Sequence, residues 1–177
     1  MKITLVRHTA VDIPEGVFYG HTDVPLKDTF TAEAEVTMSH IPNIEYDAVY
    51  TSPLSRAKKL AVYCGYPDAI EEKRIQEINF GEWEMKGFGD IDDPYFQEWF
   101  LDTLHKAPPH GESFMNLYER VVEFLEELQA KEDLDNVLIF AHGGVLISAQ
   151  VFAGTVAMDD AFSVLPPYGG VIEVDII

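Results

Sequence analysis

Three short apolar segments that end abruptly in polar side chains constrain the fold more than any other feature of this chain. They span residues 2–7, 47–52 and 136–141. Apolar runs of this length, bounded by charged or turn residues, predict buried β-strands. Between these segments, apolar residues recur at the spacing of a helix, most clearly over residues 112–132. Because helices alternate with strands, we predict an α/β sandwich of three layers, with a mostly parallel central sheet flanked by helices.

The weaker elements fit the same architecture. We predict helices over residues 31–41, 53–65, 94–104 and 143–153, an edge strand over 69–74 and a last strand over 170–176. Pro53 would stand at the first position of its helix and Gly65 at its end. A length of 177 residues suits one domain, so we expect residues 1–177 to fold as a single domain.

Each of the three strands runs into residues that suit the binding of an anion. Arg7 and His8 follow the first strand, Arg56 lies in the helix after the second, and His142 follows the third. In parallel α/β sheets, ligands bind beyond the carboxyl ends of the strands. Each residue alone has an ordinary structural explanation. If the strands are neighbours, however, two guanidinium groups and two imidazoles meet at one edge of the sheet.

The charge of the chain makes these cations informative. Twelve basic and 31 acidic residues give a net charge of −19, and only four residues are arginine. Such a surface repels nucleic acid and anionic lipid, so we expect no nucleic acid and no membrane among the partners. No apolar run approaches the length of about 20 residues that crosses a bilayer. With one cysteine, Cys64, the protein is expected in the cytoplasm.

The residue types favour phosphoryl chemistry. A neutral imidazole such as that of His8 attacks phosphorus if its other nitrogen donates to a carbonyl. An adjacent guanidinium grips two phosphoryl oxygens, and glycines at a helix start, here Gly143 and its neighbour, let main-chain N–H groups approach an anion. A bound phosphate raises the pKa of a nearby carboxyl, which then protonates a leaving alkoxide. The candidate acids are Glu77, Glu82 and Glu84.

No motif indicates a metal or another cofactor. The chain lacks the GxxxxGK[ST] phosphate loop, HExxH and CxxC. Residues 87–92 lack the third glycine of a dinucleotide-binding loop and follow no predicted strand. The paired acids of residues 90–94 lack the spacing of a calcium loop. We therefore expect neither a metal nor an organic cofactor.

Five motifs occur in the order seen in one known family. LVRHT, SPLSRA, QEINFGEWE, PHGES and FAHGG, over residues 3–144, resemble the histidine phosphatase superfamily, whose members have a phosphoglycerate mutase-like fold. The resemblance implies that His8 is the phosphorylated nucleophile. By motif position, it implies that Glu77 rather than Glu82 is the proton donor. The phosphoryl oxygens would be held, in place of a metal ion, by Arg7, Arg56 and a charged His142.

Within this family, the combination with YGHTDVPL at residues 19–26 looks most like the alpha-ribazole phosphatases, which dephosphorylate a nucleotide precursor in cobalamin assembly. The residues expected to contact the substrate are Thr9, His21, Thr22 and Gly143. Three positions depart from the family pattern. Thr9 replaces a glycine and so requires a negative φ. His21 replaces an arginine, which lowers affinity or shifts binding towards a pH at which His21 is charged, and Met85 replaces another glycine.

Three other activities are compatible with these motifs. A phosphoglycerate mutase is disfavoured because the chain is short and lacks material for a lid that excludes water. Another phosphatase of the family would act on a sugar phosphate, on phosphoserine or on a broad set. A non-catalytic phospholigand-binding domain is disfavoured because His8, Glu77 and His142 are all retained. The expected partner is a small phosphomonoester, and no feature indicates an oligomeric state.

Overall fold

The computed structural model describes all residues of the chain, 1–177, and is built on one five-stranded sheet. The strands are β1 (Lys2–Arg7), β2 (Ala48–Thr51), β3 (Ile70–Glu71), β4 (Asn136–Ala141) and β5 (Val171–Asp175). They lie in the order β3-β2-β4-β1-β5, and all neighbours are parallel except β5, which runs antiparallel to β1. The predicted α/β fold with a mostly parallel sheet is confirmed.

Five α-helices surround this sheet: α1 (Phe30–His40), α2 (Ser55–Tyr63), α3 (Tyr95–Leu101), α4 (Phe114–Gln129) and α5 (Gly143–Phe152). The predicted helices all occur, but α2 begins at Ser55 and not at Pro53. Leu54 is extended, and the Asp23 carboxylate accepts a hydrogen bond from the Ser55 N–H. The sequence pattern did not predict the 3-10 helix Met158–Val164. None of the helices is both long enough and apolar enough to span a bilayer.

Alternate side chains of the central strands face opposite layers of helices. Ile3 and Leu5 of β1, with Ile139 of β4, pack with α4 and α5. Val6 of β1 and Phe140 of β4 pack with α1 and α2. Because side chains alternate along a strand, both faces of the sheet are covered and the strands are apolar throughout. The predicted three layers follow from this arrangement.

The register of the sheet determines which residues lie together at its carboxyl edge. The last residue of β1 pairs with the last residue of β4, and the last residue of β2 pairs with the penultimate residue of β4. The three strands therefore end at nearly one level. The residues that follow them emerge side by side at the carboxyl edge of the sheet, and they are His8, Ser52 and His142.

Candidate active site

The structure brings His8 and His142 together beyond β1 and β4. Both side chains are buried, and their ring centroids lie 5.3 Å apart at an interplanar angle of 60°. The His8 N–H donates to the main-chain oxygen of Ala141 at 3.2 Å, so the ladder between the two strands continues into the site. The strand register thus holds the two imidazoles next to each other.

The hydrogen bond of the His8 ring defines which of its nitrogens carries the proton. Its Nδ1 lies 2.7 Å from the main-chain oxygen of Thr9, which can only accept, so Nδ1 is protonated and Nε2 keeps its lone pair. Burial, together with the positive charge of Arg56, lowers the pKa of His8 to about 3. A neutral imidazole with a free Nε2 lone pair is the form that attacks phosphorus.

Arg56, the second residue of α2, is completely buried beside the histidines. Its Nη1 donates to the main-chain oxygen of Thr22 at 2.9 Å, and its Nη2 donates to that of Gly20 at 2.6 Å. Burial lowers the pKa of the guanidinium from its ordinary value. The loop at residues 20–22 therefore holds this side chain through main-chain oxygens.

Arg7 is held by a loop near the end of the chain. Its Nη1 donates to the main-chain oxygen of Pro166 at 2.6 Å, and its Cζ lies 4.2 Å from the ring centroid of Tyr168. The Tyr168 hydroxyl lies 2.6 Å from that of Tyr19, whose ring faces Arg56 at 5.3 Å. A hydrogen-bonded pair of tyrosines thus packs on both guanidinium groups.

These two arginines differ from the other two arginines in their electrostatic partners. Arg74 and Arg120 each form an ion pair with a carboxylate at 2.8 Å. Arg7 and Arg56 form none, although the chain has 31 acidic residues. A guanidinium removed from water without a counter-ion is costly. Arg56 is buried and Arg7 is half-buried, so their unpaired charges indicate that a bound anion supplies the missing counter-charge.

Four buried polar atoms around His8 have no hydrogen-bond partner in the protein: Arg7 Nε, Thr9 Oγ1, Arg56 Nε and His142 Nδ1. Buried polar atoms are nearly always hydrogen-bonded, so each exception requires an explanation. A phosphoryl group has several acceptor oxygens and binds such donors strongly because it is charged. The geometry therefore fits a phosphate next to Nε2 of His8.

Only one of the three candidate acids lies at this site. The Glu77 carboxylate accepts a hydrogen bond from the Gly144 N–H at the start of α5, at 3.2 Å. Glu82 is exposed on the surface. Glu84 accepts from the main-chain N–H groups of residues 20–22 and so holds the loop that binds Arg56. Of the three carboxylates, that of Glu77 therefore lies at the start of α5 beside the site.

The two glycines at the start of α5 allow charged side chains to pack against it. A β-carbon at Gly143 would lie 2.6 Å from a methyl group of Leu165 and 3.3 Å from Arg7 Nε. A β-carbon at Gly144 would overlap the Glu77 carboxylate. A side chain at Gly144 would thus displace the Glu77 carboxylate, and one at Gly143 would press on Leu165 and Arg7.

A largely apolar cavity of about 390 Å³ opens at the start of α5. Arg7, Glu77 and the two glycines of α5 form its polar end. Seven aromatic side chains contribute much of the remaining wall: Phe18, Tyr19, Phe80, Phe88, Trp99, Phe114 and Phe162. A cavity of this kind suits a leaving group with a flat apolar part.

The other predicted contact residues have mixed outcomes. Thr9 keeps a negative φ, as its place in the turn requires, and its hydroxyl is one of the unpartnered atoms. Thr22 contributes main-chain atoms, because its oxygen binds Arg56 and its N–H binds Glu84. Met85 adopts the left-handed conformation, with φ 63°, at the position where the family resemblance suggests glycine.

The expectation that His142 is charged is wrong, whereas the expectation that binding shifts towards the lower pH at which His21 is charged stays a prediction. Burial, with Arg56 nearby, lowers the pKa of His142 well below 6.5, so the ring is neutral in the free protein. Burial also lowers the pKa of His21, although the Glu112 carboxylate lies 3.9 Å from its Nε2. Loss of hydration is the largest cause of both shifts. The cations around His142 add to it, whereas the carboxylates around the half-buried His21 offset it only in part.

Three parts of the site were not predicted from the sequence. Ser52 Oγ lies 2.8 Å from His142 Nε2. Arg120 donates to the main-chain oxygens of Gln76 and Glu77 and so orients the segment that carries the acid. Ser52 had a signal, since it directly follows a predicted strand, and Arg120 had one as a rare arginine. The loop at residues 166–170 had none beyond its proline and glycine content.

Comparison with known proteins shows to which family the chain belongs. A sequence profile of the histidine phosphatase superfamily (branch 1) matches residues 3–175. The chain belongs to the histidine phosphatase superfamily. The assignment from five ordered motifs is thereby confirmed.

Relatives and solved structures agree with this assignment. The adenosylcobalamin/alpha-ribazole phosphatase of Salmonella typhimurium is 30% identical over 153 residues, which cover 82% of this chain and 76% of that protein. A phosphoglycerate mutase of Thermus thermophilus superimposes with a TM-score of 0.77 at 30% identity, covering 99% of this chain and 93% of the other. The alpha-ribazole phosphatase of Shigella flexneri gives a TM-score of 0.89 at 24% identity, covering 100% and 91%, and shows the fold alone. The family and its phosphatase relatives identify this chain as a phosphatase.

We expect both site histidines to stay neutral far below 6.5, the ordinary pKa of histidine. In ¹⁵N-labelled protein, the rings of His8 and His142 should take up no second proton from neutral pH down to about pH 5, while a histidine peptide in the same tube titrates at about 6.5. Unfolded imidazoles bind protons at that higher pH, so acidification through this window also favours unfolding. A His8 midpoint close to that of free histidine would contradict the buried, cation-flanked site.

Proposed function

We propose that the protein hydrolyses small phosphomonoesters through a phosphohistidine intermediate on His8. The observation that carries this proposal is the set of buried, unpartnered polar atoms around an imidazole whose Nε2 lone pair is free. One phosphoryl group would satisfy those atoms while its phosphorus faces Nε2. Membership of the histidine phosphatase superfamily supports the same chemistry.

In the first step, the Nε2 lone pair of His8 attacks phosphorus and forms a P–N bond. The ester P–O bond breaks, its electron pair leaves with the alcohol oxygen, and protonated Glu77 gives that oxygen its proton. Glu77 suits this role because it lines the cavity together with Arg7. The Nδ1 proton of His8 stays on the ring, hydrogen-bonded to the Thr9 oxygen, which stabilises the positive charge that develops on the imidazole.

In the second step, Glu77 is a carboxylate and acts as a base. It takes a proton from a water molecule, whose oxygen attacks phosphorus. The P–N bond breaks, its electron pair returns to Nε2 of His8, and phosphate leaves. Glu77 is then protonated again, so both residues return to their starting states.

Fixed positive charge contributes most to rate acceleration in this scheme. Phosphoryl transfer spreads negative charge over three equatorial oxygens. Arg7 and Arg56 present guanidinium groups to those oxygens in a site that is largely shielded from water, where electrostatic attraction is stronger. Main-chain oxygens and tyrosine rings already hold both groups in place, so little rearrangement is needed during the reaction.

We further propose alpha-ribazole 5'-phosphate as the substrate. The aromatic cavity beside Arg7 and Glu77 suits a heteroaromatic base carried on a ribose phosphate. The relative named adenosylcobalamin/alpha-ribazole phosphatase supports this choice. A leaving group with a carboxylate, such as phosphoserine or phosphoglycerate, would bury that charge against apolar side chains, which is unfavourable.

The remaining surface also supports a small substrate. A net charge of −19 repels polyanions, whereas a single phosphate reaches the buried cations. The half-buried thiol of Cys64, whose pKa is raised to about 11 by burial, suits a protein that works in a reducing compartment such as the cytoplasm.

A phosphohistidine intermediate predicts that one variant retains label from the substrate and another does not. With a ³²P-labelled aryl phosphate, Glu77→Gln should accumulate acid-labile label on His8, because hydrolysis of the intermediate has lost its base. His8→Ala should neither turn over nor take up label. The matched control is His105→Ala, which removes an exposed histidine and should keep wild-type kcat.

Activity should also survive a chelator, since guanidinium groups supply the cations. Full activity in folded His8→Ala would contradict the phosphohistidine route. So would the absence of label in Glu77→Gln when that variant still releases the alcohol.

The substrate assignment predicts a selective effect at the rim of the cavity. Phe162→Ala should lower kcat/KM for alpha-ribazole 5'-phosphate about fivefold, since an aromatic contact contributes about 1 kcal/mol, and should leave glycerol phosphate unaffected. Phe100→Ala removes a similarly exposed ring outside the cavity and should change neither value. A wild-type preference for phosphoserine, or isomerisation of phosphoglycerate, would contradict the assignment.

A further inference from the structure

Ser52, at the end of β2, is completely buried and touches the site through its hydroxyl group. The Ser52 oxygen lies 2.8 Å from Nε2 of His142 and 3.3 Å from the Leu54 nitrogen. The Ser52 N–H donates to the main-chain oxygen of Phe140 at 2.9 Å. The pairing of β2 with β4 therefore fixes this serine opposite the imidazole.

The proton of the Ser52 hydroxyl has one acceptor among these contacts. A buried hydroxyl group donates one hydrogen bond. The Leu54 N–H is itself a donor and cannot receive the proton, whereas Nε2 of His142 can. Nε2 therefore presents its lone pair to Ser52, and the neutral ring carries its proton on Nδ1.

This tautomer leaves a donor free at the site. Nδ1 of His142 is buried and has no partner in the protein. In the neighbouring ring of His8, Nδ1 is hydrogen-bonded to the Thr9 oxygen and Nε2 is free. Both rings thus carry their proton on Nδ1, but His8 presents a lone pair to the ligand while His142 presents an N–H group.

We propose that Ser52 is a positioning residue that holds His142 as an Nδ1–H donor to a phosphoryl oxygen. This role rests on the proposed phosphoryl transfer. A neutral imidazole acts through its directed N–H and not through net charge. With the other tautomer, a lone pair on Nδ1 would face the phosphoryl oxygen and repel it. The serine hydroxyl therefore determines whether His142 stabilises the transition state.

Three serine variants test this role by kinetics. Ser52→Ala removes the proton donor, and loss of one preorganised donor to a developing oxyanion lowers kcat about 100-fold. KM should change much less, since the two arginines still bind the phosphate. Ser52→Thr keeps a hydroxyl group and should restore most of the activity. The matched control is Ser148→Ala, because Ser148 is equally buried, lies on α5 and bonds to a main-chain oxygen instead.

Nitrogen NMR of the imidazole rings reads the tautomer directly and needs no turnover. Wild-type His142 should have a protonated Nδ1, and in Ser52→Ala the proton should move wholly or partly to Nε2. A protonated Nε2 in the wild type, an unchanged tautomer in Ser52→Ala, or full activity of that variant would overturn the proposal. If the wild type hydrolyses no phosphomonoester, the proposed function fails, and the NMR result still decides the tautomer separately.

Discussion

Two guanidinium groups without carboxylate partners, that of Arg56 buried and that of Arg7 half-buried, are the constraint on which the rest of the site depends. Removing such a charge from water costs on the order of several kcal/mol per ion unless other groups compensate. Arg56 is compensated in part by the main-chain oxygens of Gly20 and Thr22, and Arg7 by that of Pro166 and the face of Tyr168. The loops that supply these groups are therefore as much part of the site as the strand ends are.

The same positive charge sets the state of the two histidines. Burial and the nearby cations keep both rings neutral, so neither competes with the arginines as a fixed charge. Whether a ring presents a lone pair or an N–H group to the ligand then depends on which of its nitrogens is hydrogen-bonded to the protein. His8 is hydrogen-bonded to a main-chain oxygen and His142 to a serine hydroxyl, so one ring keeps a free lone pair and the other a free N–H group.

Much of this arrangement could be predicted from the sequence, because the strands are continuous apolar runs and catalytic residues follow them directly. Arg7, His8 and His142 were located in this way, and the parallel order of β1, β2 and β4 brings them together. Glu77 was chosen by its position in a family motif, but the acceptors of Arg56 depend on loop contacts between residues far apart in the chain, which spacing does not encode. The neutral state of His142 depends on burial, and a histidine after a strand gives no measure of burial.

A crystal structure of the protein with vanadate, which mimics the transferring phosphoryl group, tests the central claim most directly. The account predicts vanadium bonded to Nε2 of His8, with oxygens within about 3 Å of Arg7 Nε, Arg56 Nε and His142 Nδ1. Vanadate bound away from His8, or bound so that those three atoms stay without a partner, would contradict it.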